Sequence, residues 1–174
     1  MITRILKPII LLLIVLSSSF ISSFGQIKYQ VYAEYLYYFA ENTKFPHDKD
    51  SGNFIIGVIG TENLYIAIQN LAFTKKLGGR SIIVKKYADI KHAENCHILF
   101  VDSNQQSELS LASIFSKKMH VLLVSECNEG CRMGSTINFI KDNEGIKFEL
   151  NDEIAKKQHL KINTDLSRLA VPKK

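Results

Sequence analysis

Phe54-Ile55-Ile56-Gly57-Val58-Ile59, six residues without a charge, is the stretch that decides the fold. A run this short and this uniformly apolar reads as a strand buried on both faces, the environment of a parallel sheet covered by helices. Two later runs share its character: His97-Ile98-Leu99-Phe100-Val101, and the segment from His120 to Ser125. Outward from the first run, Thr61 stands where a helix cap belongs, and Leu64, Ile68 and Leu71 fall on one side of the helix it opens. Gly78-Gly79 turns the chain into a strand from Ser81 to Tyr87, and Asp89 to Glu94 has room for one helical turn. Asn104 to Lys117 reads as a second long helix. Apolar strands alternating with helices predict a parallel sheet with helices on both faces.

Both ends change character. Thr136 to Lys141 and Gly145 to Leu150, joined through Asp142-Asn143-Glu144-Gly145, predict an antiparallel hairpin, after which Asn151 or Asp152 caps a terminal helix from Glu153 to His159. Upstream, Val31, Tyr35, Tyr38 and Phe39 recur at helical spacing between Lys28 and Lys44, and Pro46 ends that helix. Tyr29, Tyr32, Tyr35, Tyr37 and Tyr38 are five of the seven tyrosines, so aromatic rings extend beyond one stripe. They suit a packed helix whose outer hydroxyls stay wet, or a helix that faces a partner. The fold class is α/β with a mixed sheet. Its first part is parallel with helices on both faces, and a C-terminal antiparallel hairpin and terminal helix complete it.

The first 25 residues stand apart. Arg4 and Lys7 precede the apolar Ile9-Ile10-Leu11-Leu12-Leu13-Ile14-Val15-Leu16, and Ser22-Ser23-Phe24-Gly25 supplies small residues, which is the order of a cleaved signal peptide. The apolar run is about half of the ~20 residues that cross a bilayer as a helix. Cleavage after Gly25 makes Gln26 the first mature residue and leaves 149 of 174 residues as a single domain over 26–174. No cysteine lies near that point to carry a lipid anchor. Export places the domain outside the cytoplasm.

Loss of Arg4 and Lys7 lowers the formal charge from +5 to +3, too little for a nucleic-acid binder. The pairs Lys75-Lys76, Lys85-Lys86, Lys117-Lys118, Lys156-Lys157 and Lys173-Lys174 are scattered as solvated faces. Gly57 to Glu62 has neither the three glycines of a dinucleotide loop nor the lysine of a phosphate loop. His47, His92, His97, His120 and His159 occur singly, without metal-ligand spacing, and neither Ser103 nor Ser125 sits in a nucleophile elbow. These patterns make no case for an enzyme, a cofactor or a metal. Polar residues do fall at the carboxyl ends of the strands, in Gly60-Thr61, Asp102-Ser103 and Ser125-Glu126, where sheets of this class gather ligands. The same residues serve as helix caps and turns. A small-molecule sensor with a pocket near Asp102 and Ser125 is the alternative to the reading developed below.

Three cysteines in an exported chain raise the question of disulfides. Cys127 and Cys131 flank Asn128-Glu129-Gly130, a turn short enough to bring them within bridging distance, whereas Cys96 precedes a buried strand and reads as a buried thiol. Free thiols are the alternative for the pair. A constrained turn here abuts the hairpin, whose residues alternate between faces, so either Ile137 and Phe139 or their neighbours are presented together. The expected contact surface is Cys127, Cys131, Ile137, Phe139 and Glu149; the opposite outcome is that Ile137 and Phe139 point into the core.

Several blocks in order resemble the YfiR family, also known as DUF4154. They are Tyr32-Ala33-Glu34-Tyr35-Leu36-Tyr37-Tyr38-Phe39 followed by Phe45-Pro46, then Gly79-Arg80-Ser81-Ile82-Ile83-Val84, then Cys96-His97-Ile98-Leu99-Phe100-Val101. Gly134-Ser135-Thr136-Ile137-Asn138-Phe139, Ile146-Lys147-Phe148-Glu149-Leu150-Asn151, Leu160-Lys161-Ile162 and Leu166-Ser167-Arg168-Leu169-Ala170 complete the set. The resemblance implies a periplasmic regulator that tends to form homodimers. Such a protein restrains a membrane-bound diguanylate cyclase, or another inner-membrane receptor, by binding its periplasmic domain. It further implies tuning by disulfides, an outer-membrane lipoprotein antagonist, and a link through cyclic di-GMP to biofilm. Two departures stand out: Phe45 occupies a position where the family often has tryptophan, and Gly134-Ser135-Thr136 replaces the usual Gly-Gly-Met.

Overall fold

The computed structural model describes residues 27–49, 51–142 and 145–172, so the signal-peptide reading of Met1 to Gly25 lies outside the described residues. A helix over 27–41, α1, opens them and is followed by the two-residue strand β1, Thr43–Lys44. The helix therefore ends before Lys44, because Thr43 and Lys44 pair antiparallel with β9, Lys161–Ile162. Next come β2 (Phe54–Ile59), α2 (Glu62–Thr74), β3 (Lys76–Leu77), β4 (Arg80–Tyr87) and β5 (Ile98–Val101). The second half holds α3 (Leu109–Met119), β6 (Leu122–Ser125), β7 (Ile137–Asp142), β8 (Gly145–Leu150), α4 (Asp152–Lys157) and α5 (Thr164–Leu169).

One seven-stranded sheet has the order β3-β4-β2-β5-β6-β7-β8. Its five inner strands run parallel, and β3 and β8 close the two edges antiparallel. The α/β class, the mixed sheet and the hairpin match the expectation. Corrections fall at element ends. Ser103–Glu108 is a 3-10 segment ahead of α3, bent at Gln105, so the expected helix from Asn104 starts late. His120 is no strand residue; it holds the left-handed cap of α3 at φ 54°. Nor is the helix after the hairpin terminal, since β9 and α5 follow it.

Two apolar clusters fill the two sides of the sheet. Leu64, Ile68 and Leu71 of α2 join the first, with Val58, Phe100, Val124, Ile137 and Phe139. Leu109 and Ala112 of α3 join the second, with Ile59, Leu99, Val101 and Leu123. Successive strand residues thus serve opposite cores, which is why the strands are apolar throughout. Gly57 allows β2 to sit against Tyr87, because a Cβ there would lie 2.7 Å from the Tyr87 ring.

α1 belongs to the first cluster. Tyr32 stacks on Phe139 with ring centroids 4.2 Å apart, and Phe39 sits edge-on to Phe148 at 5.0 Å. Tyr35 meets both phenylalanines of the hairpin, so the tyrosine-rich helix is a packed one. Phe45 sets its edge against Phe54 and His97. His97 in turn accepts from the Ile55 amide through Nδ1 at 3.0 Å, locking the segment before β5 to β2.

Candidate functional site

The alternation of β7 and β8 sorts the expected contact residues. Ile137 pairs with Leu150 and Phe139 with Phe148, and all four point into the first core. Ile137 and Phe139 are 0% and 2% exposed, so they are core residues and not a presented surface. Their neighbours take that place: Asn138 opposite Glu149, and Ile140 opposite Lys147, on the other face. These four line an open cavity of about 740 Å³ together with Cys127, Asn128, Glu129, Cys131, Arg132, Lys141, Val171 and Pro172. Cys127, Cys131 and Glu149 all line this cavity.

Cys127 and Cys131 are both thiols here and both buried; the bridge expected between them is not formed. The intervening residues coil instead of reversing. Gly130 N donates to Cys127 O at 3.2 Å, and Arg132 N and Met133 N both donate to Glu129 O. The Cys127 Sγ lies 3.7 Å from the Asp102 carbonyl, whereas the Cys131 Sγ lies 4.0 Å from that of Thr136. Burial, then the nearby Asp102 and Glu126 carboxylates, pushes the Cys127 thiol up to about 11. Cys96, expected as a buried thiol, is fully enclosed, and its pKa is raised to about 12 by burial.

A buried polar group fastens this loop to the hairpin. Asn138 Oδ1 accepts from Ser125 Oγ at 2.7 Å and from the Cys127 amide at 3.1 Å, while the Ser135 hydroxyl lies 2.6 Å from Ser125 Oγ. Gly130 rests directly on this group, since a Cβ there would come within 2.3 Å of Asn138 Oδ1 and 2.4 Å of Ser125 Oγ. One residue on, Thr136 Oγ1 donates to Gln158 Oε1 at 2.5 Å, Gln158 Nε2 to Ser116 Oγ at 2.9 Å, and Ser116 Oγ to Ser113 O at 3.0 Å. The Ser135-Thr136 departure thus has a physical content: both hydroxyls are spent in buried hydrogen bonds that fasten the hairpin lip to β6, α3 and the end of α4. Asn138 is the residue sequence reading passed over. Its signal was an amide placed inside a strand between two core positions.

The strand ends are mixed in role. Asp102 Oδ1 caps the following turn, accepting from Asn104 N at 3.1 Å, and Ser125 is spent on Asn138. Thr61 occupies the cap position of α2 but makes no side-chain cap bond. Among the described residues no cluster of three or more histidines, cysteines or carboxylates is placed to hold a metal ion. Among them, too, no helix is long and apolar enough to cross a membrane.

A family model described as YfiR/HmsC-like, DUF4154, matches residues 29–171, which takes in the sheet, both cores and all of the cavity lining but Pro172. No curated protein matches the chain. The chain belongs to the YfiR/HmsC-like family, whose members are periplasmic, non-catalytic regulators of cyclic di-GMP signalling.

Proposed function

We propose that the chain is exported to the periplasm, is not an enzyme, and restrains a membrane-bound diguanylate cyclase by contacting that protein's periplasmic domain with the cavity face. The observation that supports this reading is the convergence of the Cys127 to Cys131 loop, the outward face of the hairpin and the tail at Val171-Pro172 around one opening. The opening mixes apolar Ile140 and Val171 with charged Arg132, Lys141 and Glu149, a composition suited to a protein surface with an apolar centre and polar rim. Redox tuning enters through Cys127 and Cys131, which are close in sequence, share that wall, and would lock the loop if oxidised. Self-association as a homodimer and release by an outer-membrane lipoprotein complete the reading.

Capture of membrane proteins on the purified chain, alongside deletion of the gene with cyclic di-GMP measured in the cell, tests it. A captured cyclase and a rise in the nucleotide are expected. An unchanged nucleotide with no cyclase captured removes the mechanism. Glu149→Lys, in a chain that still folds, is expected to reduce capture; full capture places the contact elsewhere. N-terminal sequencing of the periplasmic form checks export, with Gln26 expected first.

A further inference from the structure

α3 is apolar where it stands furthest from the sheet. Leu109, Ala112, Ser113 and Ser116 form its buried side. Opposite them, at i, i+3 and i+7, stand Leu111, Ile114 and Lys118, and the helix contains no acidic residue. Leu111 and Ile114 are 49% and 65% exposed. The last turn carries Lys117 and Lys118, both exposed, before the cap at His120. That end meets the end of α4. The His120 and His159 rings lie 4.8 Å apart, edge to face, and Gln158 Nε2 donates to Ser116 Oγ at 2.9 Å. Lys156 and Lys157, exposed in the last turn of α4, are thereby brought to the same end of the fold as Lys117 and Lys118. Two lysine pairs that look scattered along the sequence thus share one place.

None of these four lysines makes an ion pair among the described residues. The two acids of α4, Asp152 and Glu153, lie in its first turn, away from the shared end. α2, on the opposite side of the sheet, makes the contrast. Its Ile66 and Phe73 are exposed as well, but Lys86 is held by Glu62 at the start of that helix and Lys75, just past its end, by Glu34. Cations beside α2 are neutralised. At the ends of α3 and α4 the positive charge faces solvent, favoured by the carbonyl ends of two helices.

We propose that the outer ridge of α3 and the joined ends of α3 and α4 dock on an anionic phospholipid bilayer. An aliphatic ridge that runs into uncompensated lysines fits a lipid interface, with Leu111 and Ile114 at the acyl boundary and the ammonium groups among anionic headgroups. Lysine supplies all four cations. It is a flexible point charge without the fixed fork of arginine, which suits mobile headgroups better than a shaped acidic partner. His120 precedes β6 and Cys127 follows it, so this surface and the cavity lie at opposite ends of that strand, and docking leaves the cavity opening uncovered. The inference does not depend on the regulatory reading: binding to lipid needs no cyclase, and failure to capture one leaves it standing.

Co-sedimentation of the exported chain, recovered from the periplasm, with lipid vesicles tests the surface. Binding is expected to phosphatidylcholine vesicles that carry phosphatidylglycerol and not to phosphatidylcholine alone, and it is expected to fall as salt is added. Lys117→Gln together with Lys118→Gln is expected to weaken binding about twentyfold, at about fivefold for each lysine, and Lys156→Gln with Lys157→Gln by a similar factor. Ile114→Ser is expected to weaken it about tenfold by removing an inserted side chain. Lys85→Gln with Lys86→Gln removes the same charge from lysines already held by Glu94 and Glu62, and is expected to change binding by about threefold or less. Ile114 and the four lysines are exposed, so each variant is expected to keep the Tm of the parent. Absence of binding, equal binding to both kinds of vesicle, or equal losses from the Lys85-Lys86 and Lys117-Lys118 variants overturns the surface. Should Ile114→Ser abolish capture of a membrane protein while the parent binds no vesicle, the face docks on protein and the proposal fails.

Discussion

The two faces of the β7–β8 hairpin are built from the same twelve positions and do opposite work. On one, Ile137, Phe139, Phe148 and Leu150 are buried against Tyr32, Tyr35 and Phe39. On the other, Asn138 and Glu149, then Ile140 and Lys147, meet a coiled loop whose amide and serine partners are held by hydrogen bonds. Apolar stacking carries the stability of the first face, and directional bonds give the second its shape. The Gly134 to Phe139 block therefore supplies the core and the loop-facing side of the hairpin from alternate residues.

Phe139→Ala has the largest expected effect, because Phe139 touches Tyr32, Tyr35, Phe39 and Phe100 by ring contacts. A loss of about 3–5 kcal/mol in urea unfolding is expected, with partner capture failing only as far as folding fails. Asn138→Ala, on the opposite face, leaves the Cys127 amide and the Ser125 hydroxyl to find new partners, at about 1–3 kcal/mol. Unlike the phenylalanine change, it is expected to speed proteolysis within the 127–133 loop before the core unfolds.

The loop face is also expected to respond to pH. The Cys127 pKa is about 11 in the folded chain against an ordinary 9.0, so the unfolded chain loses its proton first. Its contribution is therefore intact below about pH 9 and declines as the pH rises toward about 11. Urea unfolding at about pH 8 and about pH 10 is expected to show the decline, smaller in Cys127→Ala, with Cys96 supplying a residual slope of the same sign. Glu149→Gln has the smallest expected effect on stability, about 1 kcal/mol or less, yet it reduces partner capture if the outward face is the contact surface.

The inner strands were legible because two-sided burial leaves a compositional mark: Phe54 to Ile59 and Ile98 to Val101 contain no polar or charged side chain. The choice of face in the hairpin was not, since a two-residue period admits either phase. The register would have decided it, as it sets Phe139 against Phe148 and Asn138 against Glu149. β1, β9 and α5 left no signal of their own. Two-residue strands have no periodicity, and Thr43 is buried only because Ile162 arrives beside it. The site loop was half visible: cysteine spacing located it, but its coil depends on Glu129 adopting φ 52° and on Gly130 meeting Asn138.

The clasp of β1 on β9 bears on the order in which the molecule assembles. Asn163 reaches back to Asn42 across 121 residues of chain, and α1 meets Phe139 and Phe148 of the hairpin as well as Phe100 of β5. Contacts of such separation are slow to form. A chain emerging from its N-terminus therefore carries α1 without the hairpin side of its core until almost all of its length is available. Completion is left to the last residues, and loss of the tail from Lys161 onward is felt first at the opposite terminus.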